Sequence, residues 1–86
     1  MMSTILVYST TDCVNCKRLE HYLDSKGIDY KIVNIDDDPV ERSFLLNDLK
    51  VRSVPVLYNS NTRNYTIGYD GSKVTQDKID NLIIDL

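Results

Sequence analysis

The chain has 86 residues, a formal net charge of −3, and 42% hydrophobic against 27% charged residues, which is the composition of a globular protein and not of a disordered segment. So short a chain supports one core and buries about 60% of the surface that its unfolded form exposes, so residues 1–86 are expected to form a single domain. The acidic balance offers no basic footprint for nucleic acid, and apolar runs such as Ile5-Leu6-Val7-Tyr8 are too short to span a membrane.

Residues 4–9 combine β-branched and aromatic side chains with a Ser/Thr/Asp-rich exit, which predicts a buried strand. From about Cys13 to Lys26, the apolar positions Cys16, Leu19, Tyr22 and Leu23 follow the i, i+3, i+4 spacing of a helix. Gly27 suits the position just past its end, where a positive φ lets Ile28 fold back toward Leu23. A second strand is predicted over residues 29–35. Asp36-Asp37-Asp38-Pro39 then reads as a helix start, with Asp38 capping the free amides, Pro39 at N1 and Glu41 at N3 helping the cap. That helix should run through Val40, Phe44, Leu45 and Leu49. A divalent-ion site at the Asp triplet is the weaker reading, because three consecutive carboxylates fan apart.

Residues 51–55 should be extended, since the residue before Pro55 avoids the α region. A short strand over 56–58, turn chemistry over 59–64 and a returning strand over 65–67 predict a hairpin. Residues 68–72 read as a second glycine-bearing loop. The last helix would be capped by Thr75 and would turn Ile79, Leu82, Ile83 and Leu86 inward. The order β-α-β-α-β-β-α predicts an α/β fold. Its first two strands are parallel across a helical crossover, its last two form an antiparallel hairpin, and three helices cover a four-stranded mixed sheet.

The two cysteines, Cys13 and Cys16, are three positions apart. Bridging so short a loop yields only about 2 kcal/mol, so the pair is poorly placed as a structural staple. At this spacing in the cytosol, redox chemistry or metal binding is the expected use. The spacing puts both sulfurs on one side of the first helical turn. Cys13 falls at the helix start, where free N–H groups and the dipole favour a thiolate, the form that attacks disulfides. Cys16, one turn further in, should be more buried and placed to attack a mixed disulfide formed by Cys13. A zinc site needs four ligands. The chain offers the two cysteines and His21, which belongs to the polar helix face, so no metal is expected; an inert pair is the remaining alternative.

The segment from Tyr8 to Cys16, Val54-Pro55 and the Gly68-Tyr69-Asp70 loop together resemble the glutaredoxins, and among them the NrdH-type redoxin branch most. The resemblance covers nearly the whole chain. It implies a thioredoxin fold, with Cys13 as nucleophile and Cys16 as resolving thiol. It also implies a cis Val54-Pro55 bond that presents the Val54 backbone to an extended substrate, and a groove wall made by Gly68, Tyr69 and Asp70. Tyr8 and Val14 would be further groove residues. Glutaredoxins usually carry Pro-Tyr between the cysteines, whereas Val14-Asn15 is more like the NrdH-type pattern, and Thr10 stands near where many relatives carry a lysine. Asp12, directly before the nucleophile, opposes its ionisation by about as much as the helix end favours it, ~0.3–1 kcal/mol.

The expectation is therefore a thiol–disulfide oxidoreductase that reduces protein disulfides, ribonucleotide reductase among them. No tightly bound cofactor is expected, and either thioredoxin reductase or glutathione would regenerate the dithiol. Met1-Met2-Ser3-Thr4 lacks the charged and apolar regions of a signal peptide, so a cytoplasmic protein is expected, and a monomer. The rival from another class is a non-enzymatic thioredoxin-fold adaptor that binds an extended peptide in the same groove.

Overall fold

The computed structural model describes residues 5–67, 69–70, 73–74 and 76–83. In chain order these form β1 (Ile5–Ser9), α1 (Val14–Ser25), β2 (Tyr30–Asn34), α2 (Pro39–Ser43) with a π-helical turn (Phe44–Asp48), β3 (Val56–Asn59), β4 (Asn64–Ile67), β5 (Tyr69–Asp70), β6 (Lys73–Val74) and α3 (Gln76–Ile83). The main sheet has the order β2-β1-β3-β4. β1 runs parallel to β2 and antiparallel to β3, and β4 closes the hairpin on β3. This is the expected mixed sheet in a thioredoxin-like fold.

β1 is an uninterrupted apolar run because both its faces are covered. Ile5 and Val7 point into a core with Leu19 and Leu23 of α1, Leu57 of β3, and Ile79 and Leu82 of α3. Tyr8 points the other way, into a second core with Leu45 and Val56, against which Leu6, Val33, Phe44 and Tyr58 pack. Fully burying each such side chain stabilises the fold by about 1.5–3 kcal/mol before entropy is counted. At the bottom of α1, the Tyr22 hydroxyl donates to Asp80 at 2.9 Å and Lys26 pairs with the same carboxylate at 3.2 Å, which ties α1 to α3.

Asn59 belongs to the sheet and not, as expected, to the turn. Fully buried, it donates to the Leu82 carbonyl at 2.9 Å and accepts from the Asn61 and Thr62 amides. A buried amide is tolerated because both its ends are satisfied.

Three further features differ from the sequence reading. The second helix does not stay α-helical to Leu49, because after Ser43 the chain widens into the π turn, in which the Leu49 amide bonds the Phe44 carbonyl at 3.1 Å. A five-residue stretch carries too little periodicity to separate the two windings. Val40, second residue of a helix that begins at an exposed turn, is 75% exposed and not turned inward. Residues 68–72, read as a loop, contain β5, which pairs with β6 through Tyr69–Val74 and Asp70–Lys73. A Gly-Ser step between two paired positions is a hairpin signal that the loop reading passed over. Gly68, Thr75 and Leu86, and the side chains of Tyr69, Asp70 and Ile83, lie outside the described residues. Among the described residues no helix is long and apolar enough to cross a membrane.

The end of α1 matches its sequence signal. Gly27 has φ +68°, its amide bonds the Asp24 carbonyl at 3.1 Å, and the Ile28 amide bonds the Leu23 carbonyl at 3.0 Å. Nothing lies within 4 Å of a Cβ built at Gly27, so the cost of a side chain there is one of backbone conformation alone. Gly27→Ala should destabilise the protein by about 1–2 kcal/mol, read from the midpoint and slope of urea unfolding; unchanged stability would show that the turn relaxes freely.

Candidate active site

The register of the sheet builds the site. Tyr8 of β1 lies opposite Val56 of β3, and Ser9 lies opposite Asn34 of β2. The exit of β1 toward the cysteines, the start of β3 after Pro55 and the exit of β2 toward α2 therefore meet at one end of the sheet. The Val54-Pro55 bond is cis, as the resemblance implied. Pro55 is buried and Val54 half-buried, packed against the second core.

Cys13 is the N-cap of α1, with extended backbone angles of φ −89° and ψ 102°, and its Sγ accepts the Cys16 amide at 3.0 Å. The two cysteines form a disulfide, with their Cα atoms 5.2 Å apart. Cys16 is 1% exposed, while Cys13 is half-buried and the intervening Val14 is 66% exposed. One cysteine is thus partly accessible and the other protected. The cap position is held by Cys13 itself, so Asp12 is free of that duty and remains an exposed carboxylate beside it. β5 and β6 lie against α1, which brings the Tyr69–Asp70 backbone alongside the helix that carries the cysteines.

Tyr8 sits beneath the site and not on its surface. It is 1% exposed, its ring packs against Phe44 and Tyr58, and its hydroxyl donates to Glu41 Oε2 at 2.8 Å. Asp38 does cap α2, accepting the Glu41 amide at 3.1 Å, but the Glu41 carboxylate answers the Tyr8 hydroxyl in place of the expected cap contact. A buried phenol needs an acceptor, and that demand across the fold was not visible from the local capping pattern. Asp36 and Asn34 also reach the loop before Cys13, which nothing in their sequence context signals. The Thr11 amide donates to Asp36 Oδ2 at 3.0 Å, and Asn34 Nδ2 donates to Thr11 Oγ1 at 3.3 Å. Both were read as strand-end and helix-start chemistry, and only the parallel β1–β2 register sets them beside the loop before Cys13. Among the described residues no group of three His, Cys, Asp or Glu side chains could hold a metal ion.

A half-exposed and a buried cysteine joined across the first turn of a helix, at the end of a thioredoxin-like sheet and beside a cis-proline strand, define a thiol–disulfide oxidoreductase. The glutaredoxin family model matches residues 5–62, and the chain belongs to that family. It is 36% identical over 70 residues to a glutaredoxin-like 8.6 kDa protein in the rubredoxin operon of Clostridium pasteurianum, covering 81% of this chain and 91% of that one. The fold superposes with a TM-score of 0.78 on a mutant form of the thioredoxin-like protein BC3987, at 22% identity and over 96% of this chain and 97% of that one. With the glutaredoxin-like NrdH-redoxin of Escherichia coli, described as having a thioredoxin-like activity profile, the TM-score is 0.70 at 26% identity, over 91% and 92% of the two chains.

Burial, reinforced by the bond to Glu41, pushes the Tyr8 hydroxyl well above its ordinary value of 10.0. Burial and Asp24 push Tyr30 up to about 12. In both cases the unfolded chain releases its proton first. The stabilisation is therefore complete below about pH 10 and is lost as pH rises from there toward the folded-state values. Glu41→Gln keeps an acceptor but removes the charge, so Tyr8 should ionise at lower pH than in the wild type while burial still holds it above an exposed tyrosine. Phenolate absorbance followed against pH tests this, and a late-titrating phenol unmoved by the substitution would exclude Glu41 as a cause.

Proposed function

We propose that this redoxin is a dithiol electron donor in which Cys13 is the nucleophile and Cys16 the resolving thiol. The observation that carries the reading is the asymmetry of the pair: half-buried Cys13 accepts a free amide of the first turn of α1, while Cys16 is 1% exposed one turn behind it. In the reduced protein, the Cys16 amide and the helix end favour a thiolate at Cys13. The Cys13 thiolate attacks a substrate disulfide, forms a mixed disulfide and expels one substrate thiol. Cys16 then gives up its proton and attacks Cys13 Sγ, which releases the second substrate thiol and closes the Cys13–Cys16 disulfide. Two electrons and two protons pass from the dithiol to the substrate.

Val14 and the Val54-Pro55 ledge take the substrate segment in extended form, with Val54 offering its backbone N–H and C=O. The Tyr69–Asp70 backbone, alongside α1, supplies the opposite wall. Tyr8 acts from below, as the packed support of that ledge. The substrates are protein disulfides, ribonucleotide reductase foremost, and the reductant is thioredoxin reductase; the likeness to an NrdH-redoxin supports both. The protein works as a single-domain monomer in the cytoplasm with no tightly bound cofactor.

A coupled assay that follows NADPH oxidation tests the reductant, with thioredoxin reductase in one arm and glutathione with its reductase in the other. Turnover is expected in the first arm, and turnover in the second alone would reassign the reductant to glutathione. Cys13→Ser should abolish disulfide reduction, whereas Cys16→Ser should accumulate a mixed disulfide through Cys13, seen by mass spectrometry. A trap that forms only through Cys16 would reverse the two roles. Asp12→Asn removes the carboxylate next to the nucleophile in the chain and should lower the Cys13 pKa by about half a unit, read from thiolate absorbance against pH; a pKa that stays or rises would show that the Asp12 charge does not reach the thiol.

A further inference from the structure

Thr11 and Asp12, in the middle of the segment that leads from β1 into α1, are exposed, so core packing does not hold them. Ahead of Cys13, hydrogen bonds from the end of β2 hold the segment. The Ile35 amide bonds the Ser9 carbonyl at 2.9 Å and carries the parallel ladder one step past Asn34. Asp36 Oδ2 accepts the Thr11 amide at 3.0 Å. Asn34 Nδ2 reaches Thr11 Oγ1 at 3.3 Å, while its Oδ1 accepts the Asp36 amide at 2.9 Å and so fixes both side chains relative to each other.

We infer that Asn34 and Asp36 are positioning residues for the nucleophile, a hook from β2 that holds the loop so that Cys13 keeps the N-cap of α1 once the disulfide is open. The inference rests on Cys13 being the attacking thiol. In the oxidised protein the bond to Cys16 already fixes Cys13. In the dithiol form that tether is gone, and the contact between Cys13 Sγ and the Cys16 amide persists only while the backbone stays in its extended N-cap conformation. A loop anchored two residues upstream holds it there, and a loose loop lets the sulfur swing away from the amides that stabilise its charge.

The Asp36 charge alone acts in the opposite direction, since a nearby carboxylate disfavours a thiolate. Two neutral variants separate the effects. Asp36→Asn and Asp36→Ala both remove the charge, but only Asp36→Asn keeps an acceptor for the Thr11 amide. The Cys13 pKa should therefore be higher in Asp36→Ala than in Asp36→Asn, by about half a unit on the scale of a helix-end interaction. Asn34→Ala, which changes no charge, should raise the pKa above the wild-type value.

The test uses the reduced full-length protein, with folding of each variant checked by circular dichroism. The pH dependence of iodoacetamide alkylation gives the pKa, mass spectrometry identifies the alkylated cysteine, and hydrogen exchange at the Thr11 amide reports the anchor. The expected result is alkylation at Cys13, with Thr11 protection kept in Asp36→Asn and lost in Asp36→Ala, and the pKa order just given. Equal pKa values in the two Asp36 variants, with alkylation still at Cys13, would overturn the positioning role alone. Alkylation of the wild type first at Cys16 would overturn it together with the assignment of the nucleophile.

Discussion

The position of β1 between β2 and β3 is the constraint on which the rest of this structure depends. One strand of five residues, Ile5–Ser9, is paired on both edges and buried on both faces. Its parallel register with β2 sets Ser9 against Asn34, and its antiparallel register with β3 sets Tyr8 against Val56. A shift of one residue in either pairing would exchange the two faces of the strand, driving Tyr8 out of its aromatic pocket and Val7 out of the other core. It would also separate the three chain segments that meet around the cysteines. The same packing that stabilises the sheet therefore assembles the site.

The chemistry then follows from how α1 begins. A helix leaves its first amides without partners, and here the residue that answers one of them is a cysteine in place of the usual Ser, Asp or Thr. Sulfur is a weak acceptor as a thiol and a strong one as a thiolate, so the capping demand of the helix and the ionisation of Cys13 favour each other. Cys16 is carried inward by the helical turn, next to Leu19 and away from water. The helix thus leaves one cysteine partly exposed at its start and buries the other one turn further in.

Beneath this surface the second core supplies rigidity of a different kind. Tyr8, Phe44 and Tyr58 contact one another with ring centroids 5.5–6.3 Å apart, and Glu41 accepts the Tyr8 hydroxyl from α2. The second core thus joins β1, β3 and the α2 segment just behind the Val54-Pro55 ledge. On the opposite side of the sheet, α1 and α3 are locked together by apolar packing and by the Tyr22–Asp80–Lys26 contacts. The exposed apolar side chains Ile32, Tyr65 and Ile67 lie on the two edge strands, β2 and β4.

Much of this was legible along the chain because it depends on near neighbours. The Cys-x-x-Cys spacing, the strand before it, the Gly27 turn, the Asp38-Pro39 helix start and the hairpin after Pro55 are each set by residues within a few positions of one another, and local sterics and capping determine them. What the sequence could not determine were the choices made between segments distant along the chain. Glu41 had a local role available as a capping residue and took instead a buried phenol 33 positions away. Asn59 performs the turn chemistry its sequence offers and is also a buried strut to α3. Asp36 looked like one of three helix-start carboxylates until the register of β1 and β2 placed it against Thr11. In each case a polar side chain had several partners of similar worth along the chain, and the packing of distant segments set which ones it met. For the buried Tyr8 hydroxyl and Asn59 amide, that choice also satisfies groups cut off from water.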